Sequence, residues 1–85
     1  MLNKKEIEYN VKSLVSAWLF DAKDLSDLRL VFIGKDKEET IPCTVDTASK
    51  ELTKVLYNNS SEYTLAKLIG KTKNSEKVFG ELDIN

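Results

Sequence analysis

The chain has 85 residues, 41% of them hydrophobic and 32% charged, and its 13 basic and 14 acidic side chains leave a net charge of −1. That length suits one small domain near the lower limit for folding on its own core, and the balanced charge gives no overall attraction to nucleic acid or anionic lipid. Histidine is absent and cysteine occurs once, which excludes histidine general bases, Cys₂His₂ zinc sites and internal disulfides.

A lone Cys43 fits a reducing, cytoplasmic setting. No apolar run approaches the roughly 20 residues of a membrane span. Met1–Glu6 leads into an amphipathic segment and not an apolar one, so no secretory signal is expected. Arg29 is the sole arginine beside many lysines and asparagines, a usage that fits an AT-rich coding source such as a low-GC bacterium or its mobile elements.

The first element reads as a helix from Leu2 to about Lys23. Ile7, Val11, Leu14, Val15, Trp18, Leu19 and Ala22 recur with the spacing of one helical face. Asn3 is placed to cap it and Glu6 to return the hydrogen bond, with Leu2 and Ile7 at the flanking staple positions. Asp24–Asp27 then reads as a polar connection. Leu28–Ile33 is apolar on both faces and rich in β-branched and aromatic types, which predicts a strand covered on both sides. Gly34-Lys35-Asp36-Lys37 has turn chemistry. Glu39–Val45 alternates, with Ile41, Cys43 and Val45 inward, and Pro42 places this strand at a sheet edge or a bulge because it has no N–H to donate. Asp46 or Thr47 starts a second helix that runs to about Asn58 and buries Ala48, Leu52, Val55 and Leu56.

Ser60–Gly70 reads two ways. As a helix it is capped by Ser60 or Ser61 and ended by Gly70, with Leu65, Leu68 and Ile69 on one face. The second half is then helix–turn–helix and hairpin, a winged-helix layout, and Ser61–Ile69 becomes a nucleic-acid recognition segment with Lys67 as its only base. As a strand it pairs with Lys77–Ile84 across a turn at Asn74-Ser75, and Val78, Gly80, Leu82 and Ile84 share one face.

An internal match favours the strand. Setting Leu28–Asp46 against Thr64–Asp83, with Asn74 inserted, aligns Ile33, Gly34, Lys35 and Lys37 with Ile69, Gly70, Lys71 and Lys73, Glu39 with Glu76, and Asp46 with Asp83. The reading is an α+β domain over 1–85, a pseudo-repeat of 3–46 and 47–84. Its tandem αββ units form a four-stranded antiparallel sheet with two helices on one face. Trp18, Leu14 and Leu56 are expected to lie against Leu30, Phe32, Val45, Leu68 and Leu82.

Little in the chain carries catalytic chemistry. Cys43 on an inward face, with no histidine to activate it, reads as a core residue. Gly70-Lys71-Thr72 looks like the tail of a phosphate-binding loop, but Leu65 stands where that loop needs its first glycine. Asp21, Asp24 and Asp27 form an acidic run without calcium-loop spacing. No cofactor, metal site or enzymatic activity is expected.

Ala17-Trp18-Leu19-Phe20-Asp21-Ala22 resembles the signature helix of the LAGLIDADG homing endonucleases, whose elements follow the same order. That resemblance implies close packing of two such helices and a metal-binding acid at Asp21. Trp18 takes the family's glycine position, and Lys23 that of its second acid.

Two surface sets remain. Lys35, Lys37, Lys71 and Lys73 fall on paired turns, where a basic cluster could contact phosphate, although Asp36, Glu38, Glu39 and Glu76 are interleaved. Phe20, Val31, Ile33 and Phe79 are left over once the core is assigned, the last three on the helix-free sheet face. The function expected is therefore protein contact or self-association by a small regulator or inhibitor, with a nucleic-acid-binding regulator as the alternative.

Overall fold

Six elements follow one another in the computed structural model, which describes residues 3–20, 22, 24–59, 62–73 and 75–84. They are helix α1 (Lys4–Trp18), strands β1 (Leu25–Ile33) and β2 (Glu38–Pro42), helix α2 (Ala48–Asn59), and strands β3 (Leu65–Thr72) and β4 (Ser75–Asp83). Leu2, Asp21, Lys23, Ser60, Ser61 and Asn74, to which the sequence assigns caps, a ligand or a turn, lie outside the described residues.

Asn3 caps α1 as its sequence predicts. Its Oδ1 accepts the Glu6 N–H at 2.9 Å, and its Nδ2 donates to Glu6 Oε1 at 3.1 Å, so the return bond reaches the side chain of the cap. The helix stops at Trp18, short of the predicted Lys23. Leu19 N–H still reaches Val15 O at 3.0 Å, but Phe20 N–H bonds Ala17 O at 3.4 Å, the tightened bonding of a closing turn. By Asp24 the backbone is left-handed, with φ 54. At α2, Glu51 N–H bonds Thr47 O, while Thr44 and Thr47 exchange side-chain-to-backbone bonds at 2.9 and 3.2 Å. The helix starts at Ala48, directly after the predicted Asp46 or Thr47, but the capping residue of this box is Thr44, with Thr47 returning the bond.

The strand reading of the second half is correct, and the winged-helix layout is not adopted: Leu65–Thr72 is β3. All neighbours in the sheet are antiparallel, in the order β2-β1-β3-β4. Each half contributes a helix and a hairpin, and β1 and β3 meet at the centre. There Leu30 faces Leu68 and Phe32 faces Ala66. Together with Leu28 they form one core with Val11 and Val15 of α1 and Ala48, Leu52 and Val55 of α2. Leu30, Phe32, Leu52 and Leu68 are fully buried, each stabilising the fold by about 1.5–3 kcal/mol through removal from water.

The internal match does not carry through to structural register. Gly34 sits in the first turn, its N–H bonded to Lys37 O at 2.8 Å. Gly70, its sequence counterpart, lies inside β3 beside Leu25, Leu28 and Phe79, and the second turn comes later, between Thr72 and Ser75. Gly34 and Gly80 are required by close approach. A Cβ at Gly34 would overlap the Glu62 carbonyl, and one at Gly80 would overlap the Trp18 ring. β2 ends at Pro42, so Val45, expected inward, is 57% exposed.

Two bulges set which side chains face where. In β1 the pairing shifts between Ser26 and Arg29, with Asp27 at φ 50. In β4, Gly80 faces Leu68 and Val78 faces Ile69, so Phe79 is the extra residue.

Candidate functional site

Because Leu28, Leu30 and Phe32 enter the core, the alternation of β1 sends Arg29, Val31 and Ile33 to the face without helices. Their register partners on β3 are Ile69, Lys67 and Leu65. Val78 adjoins Ile69 from β4. The result is an apolar row of Val31, Ile33, Leu65, Ile69 and Val78 across three strands. Val31 is only 8% exposed although it belongs to no helix-side cluster. The alkyl stems of neighbouring basic residues such as Lys67 can provide that cover on a helix-free face.

Charged pairs cross the same face. Arg29 pairs with Glu76, reaching over β3; Lys67 lies 3.9 Å from Glu81, and Lys71 3.5 Å from Asp27. All are partly solvated, so each contributes roughly 0–1 kcal/mol to stability. Lys67 stands opposite Val31 and between Leu65 and Ile69, so its pair with Glu81 crosses the apolar row, while Arg29–Glu76 bounds it next to Ile69 and Val78.

Of the four residues expected at a protein contact, Val31 and Ile33 share this face. Phe79 does not. It packs toward the helix-side core next to Gly70, because the bulge puts Phe79 and Gly80 on one side and turns Val78 to the other. Phe20 is 83% exposed but lies past the end of α1, in the helix layer and away from the apolar row. Leu65, Ile69 and Val78 complete the patch. The sequence places Leu65 and Ile69 on a strand or a helix face, and Val78 on the same strand face as Leu82.

The four lysines expected to cluster are not brought together. Since β1 and β3 run antiparallel, the turn after β1 and the turn after β3 lie at opposite ends of the sheet, about 25–30 Å apart over a nine-residue strand. Lys37 bonds Glu62 at 3.3 Å and lies 5.3 Å from the Tyr63 ring centroid, and Lys71 pairs with Asp27. No phosphate-sized basic cluster forms from Lys35, Lys37, Lys71 and Lys73.

Sequence reasoning missed one polar cluster, at the β2 edge. Tyr63 is 2% exposed, its ring 5.5 Å from that of Phe32, and its hydroxyl donates to Glu39 Oε2 at 2.5 Å. That hydrogen bond, then burial, hold the phenol pKa above its ordinary value. The bond to Glu62 likewise raises Lys37. A phenol held neutral beside a lysine held charged supplies neither a nucleophile nor a base at neutral pH. Glu39 and Tyr63 instead tie the loop before β3 to β2. The signal available was an aromatic residue next to a predicted strand, which needs a polar partner when buried.

Cys43 is half-buried against the core, and desolvation, helped by Glu51, pushes its thiol up to about 11. Among the described residues no cluster of three or more Cys, Asp or Glu could hold a metal ion, and no helix is long and apolar enough to cross a membrane. No known protein family, curated protein sequence or solved structure matches the chain.

Proposed function

We propose that this protein is a small non-enzymatic binding module, a regulator or inhibitor that acts by covering part of another protein with the helix-free face of its sheet. The observation that carries the reading is the set Val31, Ile33, Leu65, Ile69 and Val78, left outside the helices and interleaved with ion pairs. Apolar side chains interleaved with partly solvated charge pairs make a mixed surface, the composition of interfaces that form and dissociate. A second copy of the chain is the simplest partner, since two such faces can stack about 10 Å apart. A reducing, cytoplasmic setting suits the unpaired thiol. The nucleic-acid alternative has less support: net charge is −1, the lysines sit at opposite ends of the sheet, and β3 occupies the segment a recognition helix would need.

Val78→Lys and Ile69→Thr test it. Val78 is 44% exposed, so charge there disturbs the face and not the core. The expected result is at least tenfold weaker self-association in sedimentation, or loss of partner capture from the native host, with the melting temperature nearly unchanged. Unaltered association and capture in both variants reject the face as the contact surface.

A further inference from the structure

The two sheet edges differ. β2 is five residues long and ends in Pro42, which has no N–H to donate. β4 is nine residues long, contains no proline and, among the described residues, pairs with β3 alone. Its bulge at Phe79 divides that edge into Ser75–Val78 and the stretch from Gly80 onward, and only the second stretch borders an apolar groove. Ile84 donates its N–H to Thr64 O at 2.9 Å. The alternation of an antiparallel ladder therefore turns the N–H and C=O of Glu81 and Asp83 toward the open edge. On the helix side of the same stretch, Leu82 and Ile84 line a groove of about 310 Å³ with Ile7, Val11, Leu14 and Leu56, and Asn10 and Asp83 border it.

We propose that this edge receives an extended strand from a partner protein, one that alternates apolar and basic side chains. Backbone hydrogen bonds to Glu81 and Asp83 fix the strand, as in other cases of strand addition. Its helix-side residues continue the row of Leu82 and Ile84 over the groove. Its opposite residues lie beside the carboxylates of Glu81 and Asp83. Lys67 approaches Glu81 only to 3.9 Å, a loose pair whose carboxylate stays about half exposed. A further copy of this chain does not fit. Both helix-free-face residues of the stretch are acidic, so every antiparallel self-pairing confined to it sets carboxylate opposite carboxylate. The inference rests on the reading of the chain as a protein-binding module but uses a different surface, so the two can fail separately.

The test is a short capped peptide alternating valine with lysine, titrated into isotopically labelled full-length protein. Amides of Glu81 and Asp83 are expected to shift and gain exchange protection, and a glutamate-for-lysine peptide to bind roughly tenfold more weakly. Asp83→Pro, which removes an outward N–H, is expected to abolish binding, whereas Asp83→Ala weakens it only severalfold. The mapping on the unmodified chain needs no variant to fold. Absence of saturable binding, equal binding of the acidic peptide, or Asp83→Pro binding like Asp83→Ala overturns the proposal. Shifts confined to Val31 and Ile69 also overturn it, while favouring the sheet face as the contact site.

Discussion

The two faces of the sheet are made from the same strands and behave as opposites. On the helix side, Leu30, Phe32 and Leu68 lose all solvent contact against α1 and α2, and the glycine at position 80 is kept by the Trp18 ring. On the other side, Ile33, Leu65, Ile69 and Val78 are apolar too, yet they stand among ion pairs and keep partial exposure, while Val31 is nearly covered. The first face is closed by its own chain and carries stability. The second is left uncovered by the chain's own helices, which is why the contact surface is proposed there.

Substitutions should separate the faces by magnitude. Phe32→Ala removes a fully buried ring that also touches Tyr63, and is expected to cost about 3–5 kcal/mol in urea denaturation. Gly80→Val drives a branched side chain into Trp18 and should cost about 1–3 kcal/mol, accompanied by a change in tryptophan fluorescence. A cost below about 0.5 kcal/mol would mean that the indole does not hold its place over β4.

Alkaline pH probes the closed side and its border. Cys43 and Tyr63 hold their protons more tightly when folded than when unfolded, because of burial at the thiol and the Glu39 hydrogen bond at the phenol. Their contributions are complete below the ordinary values of 9.0 and 10.0 and decline as pH rises through the folded ones, about 11 for the thiol. Urea melts taken below pH 9 and near pH 11 should show that decline, and Cys43→Ala should make it shallower. The open face responds least. Glu76→Gln breaks the Arg29 pair and should change stability by about 0–1 kcal/mol, with a difference that shrinks as salt is added.

Much of the closed face was legible in the sequence, and much of the open one was not. Asn3 and Glu6 announce the start of α1, and Ala48, Leu52 and Val55 announce the buried stripe of α2, because caps and helical periodicity are local. Pro42 marks an edge strand for the same reason. Phe79 was misplaced because a bulge depends on how β4 pairs with β3, which no window of β4 records. Lys35, Lys37, Lys71 and Lys73 were grouped because their turns look alike, yet strand order decides whether two turns are neighbours. Gly70 looked like a turn residue and is in fact a smooth bed for Leu25, Leu28 and Phe79. Tyr63 went unread because its partner Glu39 is distant in sequence.

A photo-crosslinking side chain introduced at position 78, compared with one at the exposed helix position 12, tests the helix-free face most directly. In extract of the native host, or with purified protein alone, the account predicts discrete adducts from Val78 and none from Lys12. Adducts from Lys12 with none from Val78 would place the contact on the helices and contradict it.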